Sequence, residues 1–497
     1  MYIRKGIDFS TDFLKKMTPK CIFFLKNLHI SEKSSNFAAD SVKYFTVKHF
    51  TETKKTLVME WFGREEEMRL LRETEQRSRQ VASQLTILSG VRRVGKTTLV
   101  QHTFGIENIL YFYVSNKKEQ ELCSIFTQEI EDKLHVQVIG RLLRFEDVFR
   151  YVFEIAKQHP VTLFIDEFQE FKKVNSTIYA DMQKVWDLNK SEAHLNLIVG
   201  GSARTMLLDL FENNEQPLYG RQTQLIRLEH FYPSVLKQIL KHYNSNYSND
   251  DLLALYSFTG GVALYVELLM DNGAYTKQKM INAIIRQGSI FLAEARNHIA
   301  EEFGRDADVY FTILSAIATG HYSRSQIEDI VGKEIGGYLA VLENTYGLIH
   351  KHQPLFAAST RTMRYELWDN FYIFWFRYIF RYSYMLEINA WDKLRTIITN
   401  DYDTFSGKRL ERYFRDLLIE SNQYTRIDTW WDRQGLHEID LIALDELNQK
   451  AEFYEIKRQK KEFNPTLMEE HQNEFLVATR SLKNYTLTTR FVCLEDM

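Results

Sequence analysis

The chain has 497 residues, 44% hydrophobic and 26% charged, with 6 prolines and a formal net charge of −3. One hydrophobic core rarely serves more than about 250–300 residues, so several domains are expected, joined without long proline-rich linkers. The near-neutral balance excludes attraction of the whole surface to polyanions and leaves any nucleic-acid contact to local patches. Cys21, Cys123 and Cys493 are too scattered for a disulfide framework or a zinc site, which suits a cytoplasmic protein.

The basic N-terminus has its short apolar patch, Cys21 to Leu25, too late for an export signal. "MEWFGREEEMRLLRE" from Met59 reads as the start of a domain, so residues 1–58 are either an N-terminal extension or the product of an upstream mis-start.

"LTILSGVRRVGKTTLVQHTF" sets an apolar strand, Leu85 to Leu88, before Gly90-x-x-x-x-Gly95-Lys96-Thr97 and an apolar helical pattern after it. Strand, glycine loop and helix in that order predict a phosphate loop. The two glycines let backbone N–H groups close on a β-phosphate at a helix N-terminus. Lys96 adds a point charge for the β- and γ-phosphates, Thr97 a hydroxyl ligand for Mg²⁺, and Thr98 is a further cofactor-binding candidate.

"PVTLFIDEFQEF" supplies a strand apolar on both faces, Val161 to Ile165, tipped by Asp166 and Glu167. Behind a phosphate loop, Asp166 is expected to hold Mg²⁺ through water and Glu167 to orient the attacking water. Further strands at 109–115, 195–203 and 223–231 alternate with helices, which predicts a parallel sheet covered by helices. Ser202 ends one strand, where it either donates to a γ-phosphate or caps a helix.

Over residues 60–460 these features resemble the archaeal-ATPase type of AAA-related P-loop ATPases that carry a C-terminal DUF234 domain. The resemblance implies ATP and Mg²⁺ as cofactors. "FGREEEMRLL" looks like that family's entry motif, which implies that Gly63, Arg64 and Glu65 belong to the nucleotide pocket. "GSARTMLLDLFENNEQPLYGRQ" resembles its sensor segment, with Ser202 as sensor and Arg221 as charge sensor or finger, against the alternative of a plain ion pair. "FTGGVALYVELL" looks like its helical lid, with Ala263 where a proline is usual.

Residues 311–355 resemble a winged helix-turn-helix, but "EIGGYLAVLENTYG" carries no Arg or Lys for base edges, so packing against neighbours is expected there rather than sequence reading. The run at 372–380 carries Arg377 and falls short of the ~20 residues of a membrane span, so it is expected in a core and not in a membrane.

At 437–458, "HEIDLIALDELNQKAEFYEIKR" forms two strands whose alternation sets Asp440 with Ile442 and Leu444, and Glu455 with Phe453 and Lys457. Upstream, "GKRLERYFRDLLIE" is an amphipathic helix with Glu411 on its inward stripe. Unpartnered buried acids cost several kcal/mol each, which a divalent cation would relieve. The pattern resembles the PD-(D/E)xK nucleases, which implies that Asp440, Glu455 and Glu411 hold Mg²⁺ and that Lys457 acts in catalysis; a salt-bridged hairpin is the alternative. Residues 401–497 hold 14 basic and 19 acidic side chains, and 14 − 19 = −5 limits phosphate contacts to "KRQKK" and the arginines at 409, 412 and 415.

The expected α/β architecture is a P-loop ATPase core at 59–235, a helical lid at 236–305, a winged helix at 306–365, an aromatic helical connector at 366–400 and a nuclease-like α/β domain at 401–497. The expected activity is ATP hydrolysis coupled to a DNA-directed nuclease-like module. The alternative is a nucleotide-dependent switch or scaffold with an inactive nuclease-like domain that recruits a protein partner. Assembly with further copies of the chain is compatible with both.

Overall fold

The computed structural model describes residues 60–202, 204–303, 307–357, 362–480 and 482–497, which belong to one compact unit beginning at Met59. The extension expected at 1–58 lies outside the described residues.

Five strands, β1 (Gln84–Ser89), β2 (Leu110–Tyr113), β3 (Val161–Asp166), β4 (Leu195–Gly201) and β5 (Gln224–Arg227), form a parallel sheet in the order β2-β3-β4-β1-β5. Its helices are α1 (Glu65–Gln80), α2 (Lys96–Phe104), α3 (Glu119–Leu134), α4 (Phe145–Ala156), α5 (Phe171–Val174), α6 (Ile178–Asn189) and α7 (Arg204–Glu212). β3 and β4 are buried along their whole length, as inner strands covered on both faces must be. Because successive residues point to opposite faces, Ile87, Leu163 and Leu197 pack with Phe126, Phe149 and Trp186. Their neighbours Leu88, Phe164 and Ile198 pack with Leu71 and Leu99 of α1 and α2. The carboxyl ends of β1 and β3 therefore open on one edge, flanking β4, where open α/β sheets bind ligands.

A helical stretch follows: α8 (Pro233–Tyr243), α9 (Asn249–Thr259), α10 (Ala263–Asp271), α11 (Lys277–Ile284), α12 (Ile290–Phe303), α13 (Ala307–Ala318), α14 (Arg324–Val331) and α15 (Gly336–Ala340). Capping boxes start α9 at Ser248 and α14 at Ser323, and left-handed Gly260 and Gly332 end them. A two-stranded antiparallel hairpin comes next, β6 (Ile349–His352) with β7 (Arg364–Leu367).

α16 (Asn370–Phe374) runs into a buried π-helical turn, Trp375–Phe380, where Arg377 is tolerated because Asp401 accepts from it at 2.8 Å. α17 (Ser383–Glu387) leads to the 31-residue α18 (Trp391–Ser421). The last sheet has the order β11-β10-β9-β8, from β8 (Arg426–Trp431), β9 (Glu438–Asp445), β10 (Lys450–Lys457) and β11 (Thr486–Cys493). Leu441 and Tyr454 face Tyr413 and Phe414 of α18, whereas Ile442 and Phe453 face Met468 and Phe475 of α19 (Pro465–Thr479).

Three expected boundaries cut through elements: 235/236 falls in α8, 365/366 in β7 and 400/401 in α18. Continuous apolar packing from Phe231 to Met497 explains this, since helix and strand ends here do not coincide with composition changes. No helix among the described residues is long and apolar enough to cross a membrane.

Candidate functional sites: a phosphate-loop cradle and a C-terminal acidic cluster

β1 ends at Ser89 and the chain turns at Gly90, where a Cβ would meet the Leu228 carbonyl oxygen at 2.6 Å, so no larger residue fits. Gly95 has φ 98° and opens α2 without any side-chain cap, leaving the first-turn N–H groups to an anion. Lys96 is only 7% exposed and donates from Nζ to the carbonyls of Gly90 (2.8 Å) and Val91 (3.1 Å). Burial pulls its ammonium below the usual lysine range, with Glu167 and Asp166 pulling the other way.

Asp166 gathers this edge of the sheet. Its Oδ2 accepts from Thr97 Oγ1 at 2.7 Å and from the Tyr111 hydroxyl at 3.0 Å, and its Oδ1 accepts from the Glu167 N–H at 3.0 Å. Burial, then the Asp166 charge, raises the Tyr111 hydroxyl above its ordinary range, so Tyr111 stays a donor. Glu167 is held in the left-handed region, φ 53°, and its Oε2 accepts from Gln169 Nε2 (2.6 Å), Ser202 Oγ (2.9 Å) and Ser202 N (3.3 Å). A Cβ on Gly201 would lie 2.1 Å from Gln169 Oε1, so this glycine gives Gln169 its room. A strained carboxylate aimed by two side chains is the arrangement a water-orienting group requires.

The second cluster lies at the junction of β9, β10 and α18. Asp440 Oδ2 accepts from Ile456 N at 2.8 Å and from Lys457 Nζ at 3.0 Å. Glu455 is 7% exposed; its Oε1 lies 3.9 Å from Lys457 Nζ and accepts from Asn464 N at 3.4 Å, while its buried Oε2 has no partner. Burial raises its carboxyl above the usual range. Glu411 arrives from α18 and binds Lys408 at 3.0 Å, which also meets Glu438 at 3.1 Å. Burial lifts the Glu411 carboxyl to about 7, opposed by Lys408.

Residues 61–269 match the model of an ATPase domain predominantly from Archaea, and residues 375–473 match DUF234, described as archaeal and bacterial proteins of unknown function. The chain carries an archaeal-type ATPase domain followed by a DUF234 domain. It is 26% identical over 407 residues to the "Uncharacterized protein MJECL04" of Methanocaldococcus jannaschii, spanning 79% of this chain and 86% of that protein. Among solved structures, the Walker-type ATPase PABY2304 of Pyrococcus abyssi superposes with a TM-score of 0.51 at 20% identity, over 66% of this chain and 99% of that one, a likeness of fold. The Aeropyrum pernix ORC2 protein, in ADPNP-ADP complexes, gives 0.47 at 15% identity, over 66% and 97%.

In the ATPase domain, Gly90, Gly95, Lys96, Thr97, Asp166, Glu167 and Ser202 come together, while Thr98 is exposed on α2. Ser202 holds Glu167, an arrangement that sequence reasoning missed together with Tyr111 and Gln169. Left-handed Gly63 packs on Val235, and Arg64 donates to the Glu229 carbonyl at 2.6 Å and lies over the Phe231 ring at 4.7 Å. These contacts tie the segment before α1 to the loop after β5.

Arg221 requires a correction. It pairs with Asp187 at 2.8 Å before β5, where Thr223 N donates to Leu85 O near the amino end of β1. The phosphate loop leaves the other end of that strand, four residues or roughly 13 Å away, so the structure places Arg221 in the plain ion pair and away from the phosphate loop of its own chain. In the DUF234 domain, among the described residues no three His, Cys, Asp or Glu side chains form a ready metal-holding group. Glu411 is taken by Lys408 on α18, and Glu455 is met by Asn464 at the start of α19.

Proposed function

We propose that this chain binds and hydrolyses ATP and that its nucleotide state controls a DNA-directed, nuclease-like DUF234 domain. The observation that carries the reading is the approach of Thr97 Oγ1 to Asp166 Oδ2 beside Lys96 and Glu167. A hydroxyl and a carboxylate 2.7 Å apart fit Mg²⁺, one as direct ligand and one through water. Bound there, Mg²⁺ would neutralise charge on the β- and γ-phosphates.

Lys96 exchanges its two carbonyl partners for phosphate oxygens, and the α2 N–H groups and Gly95 close around the β-phosphate. Glu167, aimed by Ser202 and Gln169, orients water toward the γ-phosphate. Gly63, Arg64 and Thr98 complete the proposed nucleotide pocket. The helices from α8 to α12 act as a lid, tied to the phosphate loop by Arg93 with Glu294 at 2.9 Å. The hairpin with α14 and α15 is read as a winged helix used for packing, and 366–400 as the connector.

In the DUF234 domain the partnerless Glu455 Oε2 beside Asp440 fits a divalent cation, with Glu411 completing its shell once Lys408 releases it, and Lys457 positioned to stabilise charge on a phosphodiester. The lysines on Asp440 and Glu411 favour the second reading, a switch or scaffold whose nuclease-like domain is inactive and recruits a protein partner. Cytoplasmic action and assembly with further copies suit either reading. ATP turnover and Mg²⁺-dependent cleavage of linear, circular and single-stranded DNA decide between them. Lys96→Ala should abolish turnover, and Lys457→Ala should abolish cleavage while sparing turnover. Cleavage that survives Lys457→Ala refutes the nuclease-like assignment, and turnover without cleavage in the wild type favours the switch.

A further inference from the structure

A cavity of about 190 Å³ lies between α18, the β6–β7 hairpin and the start of β9. Arg409, Arg412 and Arg415 line it from one face of α18, at spacings of three residues. Among the described residues, none of the three has a carboxylate within ion-pair distance, and the Nε of each is buried without a hydrogen-bond partner. Among the described residues Arg409 donates to Asn370 Oδ1 at 3.3 Å, and Arg412 and Arg415 both lie over Trp368, at 4.3 and 4.7 Å.

The acids around the cavity are engaged elsewhere. Glu366 binds His352 (3.0 Å), Glu438 is shared by Lys408 (3.1 Å) and Arg364 (3.5 Å), Glu411 binds Lys408 and Asp440 binds Lys457. The acids just outside follow suit: Asp428 accepts from His352 and Asp416 from Tyr256, each at 2.6 Å. His352 adds positive charge, because Asp428 and Glu366 outweigh its burial and lift the imidazole to about 9. Among the described residues the three guanidinium groups have no carboxylate at ion-pair distance and feel acids only at longer range, Glu366 and Glu411 from Arg409 and Asp428 from Arg415, an arrangement in a recess of the protein that an added anion would stabilise.

We propose that this cavity is an anion site that takes a phosphoryl group, gripped by the forked donors of Arg409, Arg412 and Arg415. Guanidinium forks match tetrahedral oxyanions, and N–H groups not committed to a carboxylate are the donors that such a grip requires. The volume is below the roughly 300 Å³ of ordinary small-molecule pockets, so the site takes a phosphate and not a whole nucleotide. That phosphate is either free or the terminal group of a nucleic-acid strand. The cavity borders Glu411 and Asp440 of the acidic cluster, and only the strand as source rests on the nuclease reading.

The test uses the full chain with Lys96→Ala, which removes the competing phosphate loop, in EDTA so that no cleavage intervenes. Inorganic phosphate and matched single-stranded oligonucleotides with a 5′-phosphate or a 5′-hydroxyl are titrated, and binding and melting temperature are followed. The expected result is binding of phosphate or of the 5′-phosphorylated strand, weakened at least tenfold by Arg412→Gln with Arg415→Gln and partly restored by Lys at both positions. Phosphate should also raise the melting temperature of the arginine chain and leave the glutamine chain unmoved. Competition by free phosphate identifies it as a ligand, and preference for the 5′-phosphorylated over the 5′-hydroxyl strand identifies a strand end.

Absence of both kinds of binding, or equal binding by the glutamine chain, overturns the proposal. A chain that cuts DNA without binding phosphate would sink the anion site alone, whereas one that binds phosphate without cutting would sink the nuclease reading alone.

Discussion

Ser202→Ala separates two roles that one hydroxyl could play at the γ-phosphate edge. In the structure Ser202 Oγ donates to Glu167 Oε2 at 2.9 Å, alongside Gln169 Nε2 at 2.6 Å and the Ser202 N–H at 3.3 Å. A hydrogen bond to a charged group contributes about 1.5–3 kcal/mol. Two of the three donors survive the substitution, so the lower figure, about 1.5 kcal/mol, applies, which converts to roughly tenfold in kcat. Because Glu167 is proposed to act on water, KM for ATP and the ratio of ATP to ADP affinity should not move. Steady-state turnover with nucleotide titrations measures all three quantities. A kcat within twofold of wild type, or a selective loss of ATP affinity at unchanged kcat, would refute the positioning role and return Ser202 to direct phosphate contact.

Four further outcomes follow from the same geometry. Glu411 has a folded pKa of about 7 against an ordinary value near 4.5, so the folded state binds more protons and stability is lost as pH rises from about 4.5 to 7; Glu411→Gln should raise the melting temperature at pH 8, with the gain vanishing near pH 4.5. His352, raised to about 9, contributes stability that is intact below about 6.5 and lost as pH rises through 9, so His352→Gln should flatten the alkaline limb seen in melting curves. Arg221→Ala should leave turnover unchanged and cost no more than about 1 kcal/mol in denaturant titration, since its pair with Asp187 is partly exposed; a large fall in turnover would instead reveal a finger acting on a neighbouring copy. Gly90→Ala drives a methyl into backbone at 2.6 Å and should destabilise the chain by about 1–3 kcal/mol, read from urea unfolding, as well as weakening nucleotide binding.

The parts legible in the sequence are those fixed by local pattern. β1 and β3 announce themselves as short continuous apolar runs because inner parallel strands are buried on both faces, and the glycines and acids follow at fixed offsets. Tyr111 and Gln169 were not legible, because β2 and the turn after β3 meet Asp166 and Glu167 only through sheet order and a glycine that clears space. Arg221 misled because chain position does not tell which end of the sheet a loop occupies. In the DUF234 domain, alternation put Asp440 and Glu455 on neighbouring strands as read, with Lys457 on Asp440 as in the salt-bridged alternative, whereas the reach of Lys408 from α18 to Glu438 is set by tertiary packing of the helix on the sheet. The arginine cavity needed the hairpin and α18 together, although the three-residue spacing on one helix was visible beforehand.

Calorimetric titration of Mg·ATP into the folded full-length chain and its Lys96→Ala variant tests the cradle at the carboxyl ends of β1 and β3 most directly. Saturable heat with one site per chain, weakened at least a hundredfold by the variant, is the predicted result; no heat from the wild type, or the same curve from both, would contradict it.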